Sequence, residues 1–223
     1  MDTSKFYEFF DPSLCRDTIH IVGCGAVGST IAELLVRMGL TKFKLYDFDF
    51  VEAHNIANQM FRHIDIGKKK TEALRDILTE INPEVEIELA EKYTNEQLNG
   101  YVFMGVDSIE PRKDIVNNNL YNPFVKAIFD VRISLTDAQT YAARGDNYKE
   151  KQNLLKSMNF TDEEAKALTP VSACNVELSV APTVRLICNC TVANFMNLLQ
   201  NKLDNYKTLI LLQDTFSYQI TTI

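Results

Sequence analysis

The chain has 223 residues, of which 46% are hydrophobic and 24% charged, and its formal net charge is −7. This composition is that of an ordinary globular protein, and it excludes collagen, a coiled coil or a disordered chain as a description of the whole. The acidic balance argues against nucleic acid or an anionic membrane surface as the main partner. No run of 18 apolar residues is present, so we expect no membrane-spanning helix.

The cysteines are five, an odd number, and none of them forms a C-x-x-C pair. Reduced thiols and the absence of a structural zinc site are therefore expected. The first ten residues contain acidic side chains and are not followed by the apolar run of a secretory signal. Together these features predict a cytoplasmic protein.

Strands and helices alternate through the first part of the chain, which is typical of an α/β fold with a parallel sheet. Short β-branched, apolar or alternating runs predict strands at residues 18–23, 42–47, 85–89, 101–106 and 125–131. Apolar residues at helical spacing predict helices at residues 27–38 and 74–81, the first ending at Gly39 and the second before Pro83.

The last third differs in composition. Residues 145–170 are highly polar and predict a mobile crossover segment that contains a short helix. An apolar stretch at residues 181–203 predicts a long buried helix, and residues 209–212 and 216–220 predict a closing hairpin. We therefore expect one domain over residues 1–223. Its fold class is α/β: a mostly parallel, Rossmann-like sheet with helices on both faces, a long C-terminal helix and a closing hairpin.

A glycine-rich turn lies between the first predicted strand and the first predicted helix. It has the pattern G-x-G-x-x-G, with Gly23 for the tight turn, Gly25 for close approach of a phosphate, and Gly28 for helix–strand packing. The helix that follows supplies free N–H groups and the positive end of its dipole. Asp47, at the end of the second strand, can accept hydrogen bonds from ribose hydroxyls. The motif alone does not choose between NAD and an adenine mononucleotide.

The run that begins at Asp47 is more specific. Residues 47–70 have the sequence D-F-D-F-V-E-A-H-N-I-A-N-Q-M-F-R-H-I-D-I-G-K-K-K. Its series D-x-D…N…Q…R…D-I-G-x-x-K, together with the glycine turn, resembles the ThiF/MoeB/HesA adenylyltransferases, the group that includes ubiquitin-activating enzymes. The resemblance covers residues 18–135 well and the remainder loosely, so residues 18–135 are the expected nucleotide-binding core.

The resemblance implies a role for each matching position. ATP would be bound by Gly23, Gly25, Gly28, Asp47, Asn55, Gln59 and Lys70. Lys70 and Arg62 would contact the ATP phosphates. Asp107 lies in the segment V-D-S-I-E-P-R at residues 106–112, which is similar to the family's D-N-x-x-x-R segment, and would be the main magnesium-directed carboxylate, with Asp49 assisting.

The same group of residues suits adenylation chemically. Transfer of AMP to a carboxylate requires stabilisation of the charge that develops on pyrophosphate, which positioned cations and Mg²⁺ provide. Mg²⁺ takes oxygen ligands and needs only one or two carboxylates besides the phosphates. The resemblance thus implies ATP- and Mg²⁺-dependent adenylation of the C-terminal carboxylate of a small ubiquitin-like or sulfur-carrier protein. A homodimer, which is common in the family, is a further possibility that the resemblance raises.

Two other readings stay open. The family has N-x-x-R-Q where this chain has N-I-A-N-Q, so Asn58 replaces an arginine that contacts the terminal phosphates. This departure motivates a non-catalytic nucleotide-binding interaction module as the alternative. An NAD-dependent oxidoreductase is a weaker alternative, because it shares only the glycine turn and Asp47.

Cys174 also has two interpretations. It follows the polar segment and precedes the long helix, where it could carry the activated carboxylate as a reactive thiolate. It could equally be a small residue packed near the helix start.

Overall fold

The computed structural model describes residues 1–135, 137–168, 171, 178–201, 207–212 and 218–222. The strands are β1 (Ile19–Val22), β2 (Lys42–Tyr46), β3 (Glu86–Ala90), β4 (Gly100–Met104), β5 (Val125–Ile133), β6 (Asp137–Arg144), β7 (Lys207–Leu212) and β8 (Tyr218–Thr222). The helices are α1 (Ala26–Arg37), α2 (Lys70–Ile81), α3 (Ile109–Asn118), α4 (Tyr148–Lys156), α5 (Asp162–Leu168) and α6 (Ala181–Leu199).

The strands form one sheet in the order β3-β2-β1-β4-β5-β6-β7-β8. Strands β1 to β5 pair in parallel, whereas β6, β7 and β8 join by antiparallel pairing. The strand order reverses between β1 and β4, and Val22 is in register with both Tyr46 and Met104. The carboxyl ends of β1, β2 and β4 therefore lie side by side, at the point where parallel sheets commonly bind ligands.

Helices cover both faces of the sheet, as predicted. On one face, α1, α2 and α6 pack on β1, β4 and β5 through a core that includes a cluster of Phe103, Phe129 and Phe195. On the other face, α3 and α4 pack on the sheet through residues such as Val116 and Leu154. None of the described helices is long and apolar enough to cross a bilayer.

The structure confirms the predicted α/β architecture, the long helix and the closing hairpin, and it adds elements that the sequence analysis missed. Strand β6 and helix α3 were not predicted. The polar segment contains two helices, α4 and α5, instead of one. Helix α4 is tied to the rest of the fold by Lys151, whose buried ammonium donates to the carbonyls of Asn119 and Leu120 at 2.9 and 3.1 Å.

His20 on β1 is buried in a polar site on the second face of the sheet. Its Nε2 lies 3.2 Å from Asn99 Oδ1, and its Nδ1 lies 3.1 Å from the Tyr46 hydroxyl. Both ring nitrogens therefore have a polar partner in the buried site. Burial lowers the pKa of His20 from its usual 6.5, and the nearby Lys44 charge acts in the same direction.

This burial predicts a pH-dependent loss of stability. The unfolded chain takes up a proton at His20 near pH 6.5, whereas the folded protein does so only at lower pH, so the free energy of unfolding falls as the pH drops from about 7 to 5.5. The variant His20→Gln removes the titrating group and should show a flatter pH dependence. Urea unfolding across this pH range measures the slope.

The matched control is His63→Gln, because His63 is exposed and belongs to a short 3₁₀ helix outside the cores. This variant should keep the wild-type slope. If the slopes of wild type and His20→Gln were equal, burial of a neutral His20 would not be the cause.

Candidate functional site

The glycine turn between β1 and α1 is fixed by close backbone contacts. Gly23 has a φ of +90°, and a Cβ there would lie 2.7 Å from the carbonyl oxygen of Gly105. A Cβ at Gly28 would lie 1.8 Å from the carbonyl oxygen of Gly23. At Gly25, by contrast, a Cβ would meet no atom within 4 Å. Two glycines are thus required by the fold, and the third leaves backbone open to a ligand.

Asp47, directly after β2, is held against this turn. Its Oδ2 accepts a hydrogen bond from the backbone N–H of Cys24 at 2.7 Å, and its Oδ1 accepts one from the N–H of Asp49 at 2.8 Å. Burial raises the pKa of the Asp47 carboxyl, while these two hydrogen bonds and the charge of Lys70 act against the rise. Each oxygen keeps a second lone pair for a ligand hydroxyl.

Lys70 is the first residue of α2 and is 8% exposed. Its ammonium donates to Asp49 Oδ2 at 2.8 Å, and its backbone N–H donates to the Asp49 carbonyl at 2.9 Å. Burial alone would lower the pKa of Lys70, but the hydrogen bond to Asp49 and the charges of Asp47, Asp49 and Asp107 raise it overall. The structure therefore brings one charged lysine among three predicted site carboxylates.

Asp107 lies on the loop that joins β4 to α3 and is exposed. The loop is fixed by Arg112, whose guanidinium donates to the carbonyl of Val106 and to the carboxylate of Asp130. Asp130 is fully buried and also forms an ion pair with Arg132 at 2.6 Å. This buried network positions the backbone that carries Asp107, and the sequence analysis did not identify it.

Arg62 has different neighbours. Its guanidinium forms an ion pair with Asp65 at 3.0 Å and another with Glu80 on α2. Burial alone would raise the pKa of the Asp65 carboxyl, but hydrogen bonds from Arg62 and Lys68 hold it at about 2. The described contacts thus place Arg62 in a local charge network, and its predicted contact with phosphate stays a prediction.

The segment between Asp49 and Arg62 supplies the remaining predicted residues. Asn55 is buried, and its Oδ1 accepts a hydrogen bond from the N–H of Glu52 at 2.8 Å. Asn58 donates to the hydroxyl of Ser179, just before α6. The Oε1 of Gln59 is buried and has no hydrogen-bond partner among the described residues. Such an orphaned acceptor is uncommon in a folded protein and points to a missing donor.

The thiols that the structure describes are not activated. Burial raises the pKa of all four described thiols, those of Cys24 and Cys188 in the core and those of the half-buried Cys15 and Cys190. A raised pKa disfavours the nucleophilic thiolate. Cys174 lies outside the described residues, so both interpretations of it stay open.

Arg185 on α6 is a second residue that the sequence analysis missed. Its guanidinium donates to Thr30 on α1 and contacts the sulfur of Met60, next to Gln59. The sequence offered one indication of a role for Arg185: it is the single charged residue in the 19-residue helix α6.

A model of the ThiF family matches residues 10–223 of this chain. Ubiquitin-like modifier-activating enzyme 5 of Caenorhabditis briggsae is 40% identical over 88 residues, which are 40% of this chain and 20% of that protein. The enzyme of the same name from Gallus gallus is 35% identical over 101 residues, or 45% of this chain and 23% of the relative. The matched parts thus span about a fifth of these relatives.

Solved structures share the fold at low sequence identity. Escherichia coli MccB with ATP has a TM-score of 0.69 at 17% identity, covering 94% of this chain and 64% of that one. PaaA has a TM-score of 0.70 at 16% identity, covering 93% of this chain and 64% of that one.

The contrast between the glycines gives a prediction about stability. Gly28→Ala forces a Cβ into the Gly23 carbonyl and should lower the free energy of unfolding by about 3 kcal/mol or more. Gly25→Ala meets no atom and should cost about 1 kcal/mol or less, as expected for alanine at a helix N-cap. Urea unfolding of both variants measures the difference, and equal losses would contradict the described geometry.

Proposed function

The chain belongs to the ThiF family, and we propose that it activates a carboxylate by transferring AMP to it from ATP, with release of pyrophosphate. The observation that carries this proposal is the convergence at one edge of the sheet. The open backbone at Gly25, the carboxylates of Asp47 and Asp49, and the ammonium of Lys70 meet there, and Lys70 also interacts with the charge of Asp107.

ATP fits the groups at this edge. The N-terminus of α1 offers free N–H groups, and the open space at Gly25 lets a phosphate approach them. Asp47 can accept ribose hydroxyls with the lone pairs that its two backbone hydrogen bonds leave free. The E. coli MccB structures with ATP and with AMPCPP support this choice of nucleotide.

Magnesium fits the carboxylates of Asp49 and Asp107, both of which are exposed. Within the part of the chain that the structure describes, no three His, Cys, Asp or Glu side chains gather as a metal site. Mg²⁺ does not need such a site, since phosphate oxygens and water complete its shell. When bound, it would neutralise charge on the phosphates.

Adenylation then proceeds by displacement at phosphorus. A carboxylate oxygen of the substrate forms a bond to the α-phosphorus, and the bond from that phosphorus to pyrophosphate breaks, with its electron pair leaving on pyrophosphate. Lys70 stays protonated among the carboxylates because its pKa is raised, so its positive charge is available to the leaving group. No side chain has to accept a proton, because the attacking group is already a carboxylate.

We propose the C-terminus of a small ubiquitin-like or sulfur-carrier protein as the substrate. The names of the similar proteins support this class, since they are enzymes that activate ubiquitin-like modifiers. MccB, which shares the fold, has been solved with MccA. Both observations concern relatives, and an exchange assay with candidate carrier proteins identifies the substrate of this chain itself.

A nucleotide-binding module without catalysis is the second candidate. The observations that favour it are the engagement of Arg62 with Asp65 and Glu80, and the replacement of the family arginine by Asn58, which binds Ser179. In this arrangement neither position offers a free cation to the cluster around Lys70. This candidate predicts ATP binding without release of pyrophosphate.

Exchange of labelled pyrophosphate into ATP separates the two candidates. We expect exchange with one member of a panel of ubiquitin-like and sulfur-carrier proteins that have free C-termini. Asp107→Ala and Lys70→Ala should each reduce the rate about 100-fold or more, because each removes a charge positioned at the reacting phosphates.

Glu72→Gln is the matched control, because Glu72 is an exposed residue in the first turn of α2. It should leave the exchange rate near that of wild type. If the wild-type protein bound ATP but supported exchange with no carrier in the panel, adenylation would be rejected in favour of the non-catalytic module.

A further inference from the structure

Arg185 is a half-buried cation with neutral partners. Its Nη1 donates to the hydroxyl of Thr30 at 2.5 Å and contacts the sulfur of Met60. Among the described residues, no carboxylate forms an ion pair with it, although the chain as a whole is acidic. A guanidinium has five N–H donors, and a thioether is a weak acceptor. A partly buried charge held in this way can still bind an anion.

Arg185 lies close to the glycine turn between β1 and α1. Thr30, its partner on α1, donates in turn to the carbonyl of Ala26 at 2.8 Å. Ala26 is the first residue of α1, so Arg185 lies about one helical turn, roughly 5 Å, along α1 from the turn where a phosphate would bind. The N–H of Met60 donates to the hydroxyl of Ser29 at 3.2 Å, which fixes the loop residue that contacts the guanidinium.

A second and independent feature lies one residue before Met60 in the chain. The Oε1 of Gln59 is buried without a partner among the described residues, and Gln59 precedes Met60, the residue that contacts Arg185. An unpaired carbonyl oxygen is satisfied only by a donor. A phosphate brings acceptors only, whereas a peptide brings an N–H together with its carboxylate.

We propose that Arg185 and Gln59 bind the C-terminal residue of a peptide substrate. Arg185 pairs with the terminal carboxylate, and Gln59 Oε1 accepts the N–H of the last peptide bond. This inference rests on the proposed function, since the carboxylate bound here is the one to be adenylated. It assigns recognition of the substrate terminus to α6 and to the loop before Arg62, and leaves the nucleotide to the residues around Asp47 and Lys70. Gln59, which the family resemblance assigns to ATP, is thereby reassigned to the peptide.

The test is direct binding of a fluorescent ten-residue peptide that ends in Gly-Gly, compared with the same peptide amidated at its C-terminus. Fluorescence anisotropy with the full chain measures both affinities without ATP turnover. Wild type should bind the free acid about 10- to 100-fold more tightly than the amide, the factor expected for a charge-assisted hydrogen bond. Arg185→Gln should abolish that preference, and Arg185→Lys should retain part of it.

Arg37→Gln is the control, because Arg37 is a surface arginine in the last turn of α1, paired with Glu33. It should leave the preference for the free acid unchanged. Gln59→Leu keeps a similar volume without the acceptor and should weaken binding of the free acid while preserving the fold, which thermal unfolding verifies.

Several outcomes overturn the inference. The first is an equal affinity of the wild-type protein for the free-acid and the amidated peptide. The second is an unchanged preference of Arg185→Gln for the free-acid peptide. The third is a loss of MgATP affinity in Arg185→Gln while peptide binding stays intact, which would assign Arg185 to the nucleotide. A carboxylate-dependent affinity without pyrophosphate exchange would uphold this inference while rejecting the proposed adenylation.

Discussion

The carboxylate of Asp47 is the contact on which the geometry of the site depends. It accepts the N–H of Cys24 from the glycine turn and the N–H of Asp49 from the loop after β2. The first bond joins the ends of β1 and β2, which the sheet already places in register, and the second fixes the loop after β2. Because Asp49 also binds Lys70, the half-buried Asp47 indirectly sets the position of the first turn of α2.

A second set of contacts fixes the neighbouring loop between β4 and α3. The buried pair of Arg112 and Asp130 holds the carbonyl of Val106, and Asp107 follows it directly. Burying such a pair costs desolvation, which extra hydrogen bonds from Arg112 to backbone carbonyls offset. The structure thus buries the charged pair that fixes this loop and leaves the carboxylates of Asp49 and Asp107 exposed.

The elements that could be predicted from the sequence are those that depend on local patterns. Helical spacing and the glycine turn located α1, α2 and the end of β1, because these signals need no knowledge of distant residues. Strand β6 was missed because its sequence, D-A-Q-T-Y-A-A-R, has few β-branched residues and owes its pairing to β5 and β7. The pairing of Arg62 with Glu80, 18 residues away, was equally inaccessible. The sequence showed Arg185 as the one charged residue of an apolar helix, but it did not show which residues Arg185 contacts.

The central claim is that this edge of the sheet binds ATP with magnesium through the glycine turn and Asp47. Isothermal titration calorimetry of the chain with MgATP, and separately with NAD, tests it most directly. The account predicts one MgATP site, no comparable heat with NAD, and a loss of affinity of about tenfold or more in Gly25→Ala, where a methyl group enters the space a phosphate needs. No heat with MgATP, or NAD binding that Gly25→Ala removes, would contradict it.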